Sequence, residues 1–328
     1  MTDIWLNLRH KYEPLERVNI VHFNDIHENT NNLDSFITGR DEFYKAHQGE
    51  TNLTLAAGDI FNRFPQNERI VSNFVKDYVD ATSTGNRDLE KGKRLNKSIN
   101  KYGLKDKFVG TNVYYEGENP LSDKIVKSKV INNIGIIGLA PVDFKPRLER
   151  KDNTNIKTEN LENTIDTVKK QAEEFEKQGI NKIILLAHTG EYSGHGRYDR
   201  HDIDYYKEFS KIPGIDVIIG GHDHRQTNRW EKTDRGEPVK IVSTGFAPGK
   251  NFEANLDSFG EMTLIFDKRG VLKPELCTNK FVDTNSFEKS NYTQQFPHHI
   301  INWGKLTDKA VSKFYGCVNS VKHFFSDS

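Results

Sequence analysis

Short apolar runs recur along the chain, and each hands over to a polar residue capable of chemistry. Val18-Asn19-Ile20-Val21-His22-Phe23 reads as a buried strand leading into Asn24-Asp25-Ile26-His27, and Asn52-Leu53-Thr54-Leu55-Ala56-Ala57 leads into Gly58-Asp59. Lys182-Ile183-Ile184-Leu185-Leu186-Ala187 delivers His188, and Ile215-Asp216-Val217-Ile218-Ile219 delivers Gly220-Gly221-His222-Asp223-His224. Between these runs the apolar spacing becomes helical. Leu33, Phe36, Ile37, Phe43 and Tyr44 share one helix face, and Ile70, Val71, Phe74, Val75, Tyr78 and Val79 share another. Residues 161–177 carry Ile165, Val168, Ala172 and Phe175 on one stripe, with Gly179 as the stop. Strand alternating with helix predicts an α/β architecture. Open sheets of that kind place their ligands at the carboxyl ends of strands, which is where these polar residues fall.

After His224 the pattern changes. The runs 239–244 and 261–267 read as strands with no helix between them, which predicts antiparallel pairing. From about 283 to 295 the chain turns polar and reads as a linker. Trp303, Leu306, Ala310, Val311, Phe314 and Tyr315 then mark an amphipathic tail that packs on the main domain or meets a protein partner. The expected organisation is an N-terminal extension over 1–17, one main domain over 18–282, and a linker with a helical tail over 283–328. A chain of 328 residues can bury one large core.

Composition narrows the partners. Lys plus Arg and Asp plus Glu both total 47, so no global positive field recruits nucleic acid or an anionic membrane. The start, Met1-Thr2-Asp3-Ile4-Trp5-Leu6-Asn7, lacks the basic and apolar regions of a secretory signal, and no apolar run approaches a membrane span, so a cytoplasmic protein is expected. Cys277 and Cys317 could form one disulfide, but two reduced thiols are the plainer reading. Lys91, Lys93, Arg94, Lys97, Lys101, Lys105 and Lys107 read as a solvated helix face.

Seven potential ligands remain: Asp25, His27, Asp59, Asn86, His188, His222 and His224. Alone, each has a bland reading. Asp25 could cap a turn, Asn86 could be a turn residue after Gly85, and His188 could be a core histidine. Together, carboxylate, imidazole and amide donors suit divalent Mn, Zn, Fe or Mg better than a thiolate-held structural zinc. Seven donors suit two ions sharing a bridging carboxylate. Ions about 3.5–4 Å apart clamp the attacking and leaving oxygens of phosphoryl transfer.

These residues resemble the blocks of the calcineurin-like metallophosphoesterases. The blocks stand here as Asp25-Ile26-His27, Gly58-Asp59, Gly85-Asn86-Arg87-Asp88, Ala187-His188 and Gly221-His222-Asp223-His224, and the resemblance covers about residues 18–270. Phe23-Asn24-Asp25-Ile26-His27 and Gly110-Thr111-Asn112-Val113 are similar to the 5'-nucleotidase and 2',3'-cyclic-nucleotide phosphodiesterase branch, in its N-terminal catalytic domain. The resemblance implies a four-layer α-β-β-α sandwich of two mixed sheets flanked by helices. It implies one ion on Asp25, His27 and His224, a second on Asn86, His188 and His222, and Asp59 between them. The implied activity is hydrolysis of a nucleotide-like phosphate ester or anhydride, with a hydroxide held between the ions attacking phosphorus in line.

Two departures qualify this. Arg87 stands where the family has a histidine thought to protonate the leaving oxygen. Arginine keeps its proton, so it can bind phosphate but is a poor general acid. Arg87 and Asp88 are nonetheless the candidate catalytic pair, and a structural ion pair or an exposed turn charge is their competing reading. His195 and His201 could substitute as acid, although a solvated loop is the plainer reading there. Asn62 and Arg63, with Phe64, are candidate substrate-binding residues. The second departure is length, since the branch's base-binding C-terminal domain is not expected within this sequence. Two alternatives stand beside the hydrolase: a metal-dependent nuclease, and a catalytically weakened relative acting as a binding or regulatory module.

Overall fold

In a computed structural model, which describes residues 15–61, 65–142, 144, 155–191, 203–245 and 256–296, the apolar runs are strands and the helically spaced stretches are helices. The first half contains β1 (Glu16–Phe23), α1 (Leu33–Ala46), β2 (Thr51–Ala56), α2 (Glu68–Tyr78), β3 (Ala81–Ser83), α3 (Asn86–Glu90), α4 (Gly92–Tyr102) and β4 (Phe108–Val109). There follow β5 (Val113–Tyr115), β6 (Ser128–Ile131), β7 (Ile134–Leu139), β8 (Ile156–Thr158), α5 (Leu161–Lys177), β9 (Ile183–Ala187) and α6 (Tyr205–Ser210). The chain continues through β10 (Val217–Gly220), β11 (Thr227–Lys232), β12 (Pro238–Ser243), β13 (Ser258–Phe266) and β14 (Thr278–Asp283).

One sheet runs β14-β13-β1-β2-β3-β4 and the other β11-β12-β10-β9-β7-β6. Both are mixed. β1 is parallel to β2 and antiparallel to β13, while β7, β9, β10 and β12 are parallel with β6 and β11 antiparallel at the edges. The antiparallel pairing expected late in the chain therefore holds for β13 but not between β12 and β10.

The central strands β7, β9 and β10 are buried along their whole length because both faces are covered, whereas the edge strands β6, β11 and β14 are partly exposed. Val18 and Ile20 of β1 meet Ile184, Leu186, Val217 and Ile219 of the other sheet in a core between the sheets. Val21 and Phe23 belong to a second core with Phe36 of α1 and Phe74 of α2. Ile183 and Leu185 of β9 face outward to Val168 and Phe175 of α5 and to Phe209 of α6. Four layers result, α-β-β-α, as the resemblance implied.

The capping chemistry agrees with the sequence. Asn160 precedes α5 and its side chain accepts the Asn163 N–H at 2.9 Å, which satisfies one donor that the first turn leaves open. Gly179, in the left-handed region at φ 77°, follows the last turn.

The polar stretch read as a linker is instead packed, as far as the described chain goes, to Phe296. Asp34 of α1 accepts hydrogen bonds from Ser290 Oγ at 2.7 Å and Thr293 N–H at 3.1 Å. Tyr292 is buried edge-on against Tyr78 and donates to Asp77. Its polar composition serves tertiary hydrogen bonds, which a composition-based reading takes for solvation. The reading of residues 303–315 as a helical tail, and Cys317, lie outside the described residues. Cys277 is a free thiol donating to the Lys273 carbonyl at 3.2 Å. Among the described residues no helix is long and apolar enough to cross a membrane.

Register decides where the chemistry collects. Phe23 pairs with Ala56 and Ala56 with Thr82, so the turns after β1, β2 and β3 leave from one edge of the first sheet. Leu139, Ala187 and Gly220 are aligned in the same way in the second sheet.

Candidate metal centre

The turns at these aligned strand ends bring five of the seven expected ligands within reach of one another. Ligating atoms of Asp25, His27 and His224 lie within 4.8 Å of each other, and so do those of Asp25, Asp59 and His188. The Asp59 carboxylate spans the cluster, with Oδ2 3.6 Å from His27 Nε2 and Oδ1 3.3 Å from His188 Nε2. Asp25 Oδ1 is 3.2 Å from His224 Nε2 and 3.7 Å from His27 Nε2. The His222 ring lies edge-on to the His188 ring, centroids 5.1 Å apart. Asn86 opens α3 directly after Gly85.

Local backbone geometry makes this convergence possible. Asp25, His27, Asp59, His222 and His224 all adopt positive φ, between 45° and 86°. Such conformations cost of order 1–3 kcal/mol each and persist only where the surroundings over-determine them. Two glycines are needed for the close approach. A Cβ on Gly58, at φ 78°, would lie 2.6 Å from His188 Nδ1, and one on Gly85 would lie 2.0 Å from Asp59 Oδ1.

A set of hydrogen bonds around the cluster aims its side chains. His188 Nδ1 pairs with the Ala57 carbonyl at 2.6 Å, which turns Nε2 inward. Asp25 Oδ2 accepts the His222 N–H at 2.9 Å and Asn24 Nδ2 at 2.8 Å, so Oδ1 is left facing the cluster. Asn24 is itself held through its Oδ1 by the Thr244 N–H at 3.1 Å. The Arg87 N–H donates to Asp59 Oδ1 at 2.8 Å.

Burial and charge are in tension here. Burial pushes the Asp25 carboxyl up, but His188, His224 and His27 outweigh it and hold the group well below the usual carboxylate range. Burial opposes a charge on His188, yet Asp59 and Asp25 beside it raise its pKa to about 10. Asn86 Oδ1 is buried without a hydrogen-bond partner, and Asp25 Oδ1 and His188 Nε2 face only other groups of the cluster. Carboxylate and imidazole donors converging in this way fit a divalent cation of borderline or hard character, so the residues present suit the metals expected of them.

The remaining candidates fall differently. Asp88 is fully buried, with Oδ1 accepting the Phe61 N–H at 2.8 Å and Oδ2 the Gly85 N–H at 2.9 Å. Burial, and then the charge of Asp59, raise its pKa to about 7. Both of its oxygens are thus engaged by backbone amides. Asp88 ties the turn bearing Asp59 to the turn bearing Asn86. Arg87 is partly exposed and pairs through Nη1 with Glu90 Oε2 at 3.1 Å. Arg94 also departs from the solvated-face reading: it is pulled inward between Glu28 and Glu68. Asn62, Arg63, Phe64, His195 and His201 lie outside the described residues. Glu28 has no sequence signal beyond standing next to His27, and Asn24 none for its role in orienting Asp25.

Paired mixed sheets that gather carboxylate, imidazole and amide donors at their strand ends define the metallophosphoesterase class of fold. Residues 18–226 match the calcineurin-like phosphoesterases over more than half of the chain, and the chain belongs to that family. Membership implies divalent metal ions. The chain is 27% identical over 223 residues to a protein of Treponema pallidum (strain Nichols) named "Probable 5'-nucleotidase", covering 64% of this chain and 35% of that protein. It is 31% identical over 108 residues to a 2',3'-cyclic-nucleotide 2'-phosphodiesterase/3'-nucleotidase of Yersinia enterocolitica, covering 33% of this chain and 16% of the other. The crystal structure of a 5'-nucleotidase precursor from Thermus thermophilus superposes with a TM-score of 0.67 at 18% identity, covering 85% of this chain and 57% of that one, a likeness of fold. The chain thus spans only part of each relative's length.

Proposed function

We propose that the chain is a metal-dependent hydrolase of phosphate esters or anhydrides, with a nucleotide-like substrate, working through two divalent ions. The observation that carries this reading is the Asp59 carboxylate, which presents one oxygen toward His27 and the other toward His188. Asp25, His27 and His224 would hold one ion, and Asn86, His188 and His222 the other, with Asp59 shared. Mn, Zn, Fe and Mg all suit this donor set. When bound, such ions activate water and neutralise charge on a phosphoryl group.

The protein's own residues would do the rest. Gly58 and Gly85 admit the ligand rings and carboxylates, and Ala57, Asn24 and Thr244 orient His188 and Asp25. Arg87, at the mouth of α3, would bind phosphoryl oxygens as a fixed cation, with Glu90 restraining its guanidinium. Asp88 would hold the two ligand turns in register. The restraint on Arg87 also favours a second reading, a metal-holding relative with weak turnover that serves as a binding module.

The test is metal-stripped protein reloaded with Mn, Zn or Mg and assayed on aryl phosphates, an aryl phosphodiester, nucleoside mono- and diphosphates, cyclic nucleotides and single-stranded DNA. Turnover of nucleotide-like compounds, reduced on the order of 10³-fold or more in Asp59→Ala, is expected. Equal rates for both proteins on every compound would leave the binding module. Activity confined to DNA would make the protein a nuclease.

A further inference from the structure

The turn after β1 is the most contorted in the described chain, and its last residue is an unusual one to bury. Asp25, His27 and Glu28 all have positive φ, at 57°, 45° and 62°. Glu28 is fully buried although it carries a carboxylate and stands beside a cluster already rich in them. Left-handed non-glycine residues need external constraint. Some comes from the neighbouring turn: the Asp25 N–H donates to the Gly58 carbonyl at 3.1 Å, the His27 N–H to Asp59 at 2.9 Å and the Glu28 N–H to Ile60 at 2.8 Å. Asn67 Nδ2 adds a bond to the Glu28 carbonyl at 2.8 Å.

The side-chain constraint comes from α4. Arg94 donates Nη1 to Glu28 Oε2 at 3.1 Å and Nη2 to Glu28 Oε1, a two-pronged pairing, while its Nε donates to Glu68 Oε2 at 3.1 Å. The Arg94 side chain is 17% exposed, so the pair lies largely out of solvent, where its geometry is worth more than at a surface. A guanidinium fork fixes both oxygens of its partner, which a lysine ammonium does not do.

We propose that Arg94 is a positioning residue for the ion held by Asp25, His27 and His224. Through Glu28 it locks the end of the left-handed turn, and the adjoining residue, His27, therefore keeps its ring directed at Asp25 and Asp59. This rests on the metal-centre reading above. It assigns Arg94 to one ion and not the other, because Arg94 reaches the turn after β1, whereas His188 and Asn86 are fixed by Ala57 and by the turn that Asp88 ties.

The test is Mn(II) binding to the metal-free full chain, followed by titration calorimetry and by the electron spin resonance of bound Mn. Arg94→Gln, Arg94→Lys and the pair Glu28→Gln with Arg94→Gln are compared with the unaltered chain, and the melting temperature of each metal-free protein is recorded. Arg94→Gln should weaken one of the two Mn sites about 10–100-fold, the range typical for partners that orient metal ligands. The other site should keep its affinity; Arg94→Gln leaves the buried Glu28 carboxylate uncompensated and should lower the metal-free melting temperature, whereas Arg94→Lys and the paired variant should lower it less. Arg94→Lys, which keeps the charge and the fold, should recover only part of the loss. The paired variant, free of an uncompensated buried charge, should bind better than Arg94→Gln alone. Two sites of unchanged affinity in both Arg94→Gln and Arg94→Lys would overturn the role of Arg94. So would an equal loss at both sites accompanied by a large fall in melting temperature. An unaltered chain that binds no Mn would overturn the metal-centre reading itself.

Discussion

The core beneath α1 and α2 and the ligand turns at the strand ends lie next to each other in sequence but obey opposite rules. In the core, Phe23, Phe36, Phe74 and Phe259 pack edge-on or tilted with centroids 5.2 to 5.8 Å apart, at no polar cost. Immediately beyond Phe23 the chain enters a turn of left-handed residues and buried carboxylates. Apolar packing stabilises the fold whether or not a ligand is present. The turns are strained, and they gather carboxylates and imidazoles in an arrangement that suits a cation. The sandwich therefore holds a site it would not build for its own stability.

The largest effect expected on the core side is Phe74→Ala. Phe74 is fully buried against the Phe23 and Phe36 rings, so its truncation should cost about 3–5 kcal/mol in denaturant unfolding, by the same amount with and without metal. A cost that depended on metal would show that the two regions are not separable.

Next in size is an exchange on the site side. Arg87→His replaces a fixed cation with a group able to donate a proton. If a missing acid limits turnover, alkyl phosphates should speed up by on the order of 10²-fold and aryl phosphates much less. Equal effects on both, or a loss on both, would show that Arg87 acts on its own account. Stability should barely change, because Arg87 is partly exposed.

Much of this was legible in the chain because it is local. A buried strand, a glycine and a ligand follow one another within eight or ten residues, and both the periodicity and the turn chemistry report that. Gly58 before Asp59 and Gly85 before Asn86 are examples in which the sequence order already encodes the close approach. What was not legible depends on distant partners. Arg94 reads as one more basic residue on an exposed helix face until Glu28 is found beneath it. That Asp88 receives the Phe61 and Gly85 amides on its two oxygens could not be read from its place beside Arg87. The polar residues at 290–293 resemble a solvated linker because composition cannot reveal that Asp34 receives them. The strands β3, β4, β5 and β8, two or three residues long, are too short for periodicity to register.

A further expectation concerns pH. With His188 raised from 6.5 to about 10 by Asp59 and Asp25 against the opposing pull of burial, metal-free folded protein holds a proton that the unfolded chain releases. The stabilisation this lends is complete below pH 6.5 and is lost as the pH climbs through about 10. Chelator-treated protein should therefore melt progressively lower as the pH rises through this window. Metal-loaded protein should not, because a cation has taken the proton's place. Parallel pH profiles would place His188 outside the metal centre.

Everything proposed for the site depends on Asp59 being shared between two ions. The most direct measurement is the number and magnetic coupling of Mn ions bound per chain in the unaltered protein and in Asp59→Asn. Two ions per chain with an exchange-coupled resonance, replaced in Asp59→Asn by uncoupled Mn or by a single ion, is the predicted result. A single ion in the unaltered chain, or coupling that survives Asp59→Asn undiminished, would contradict it.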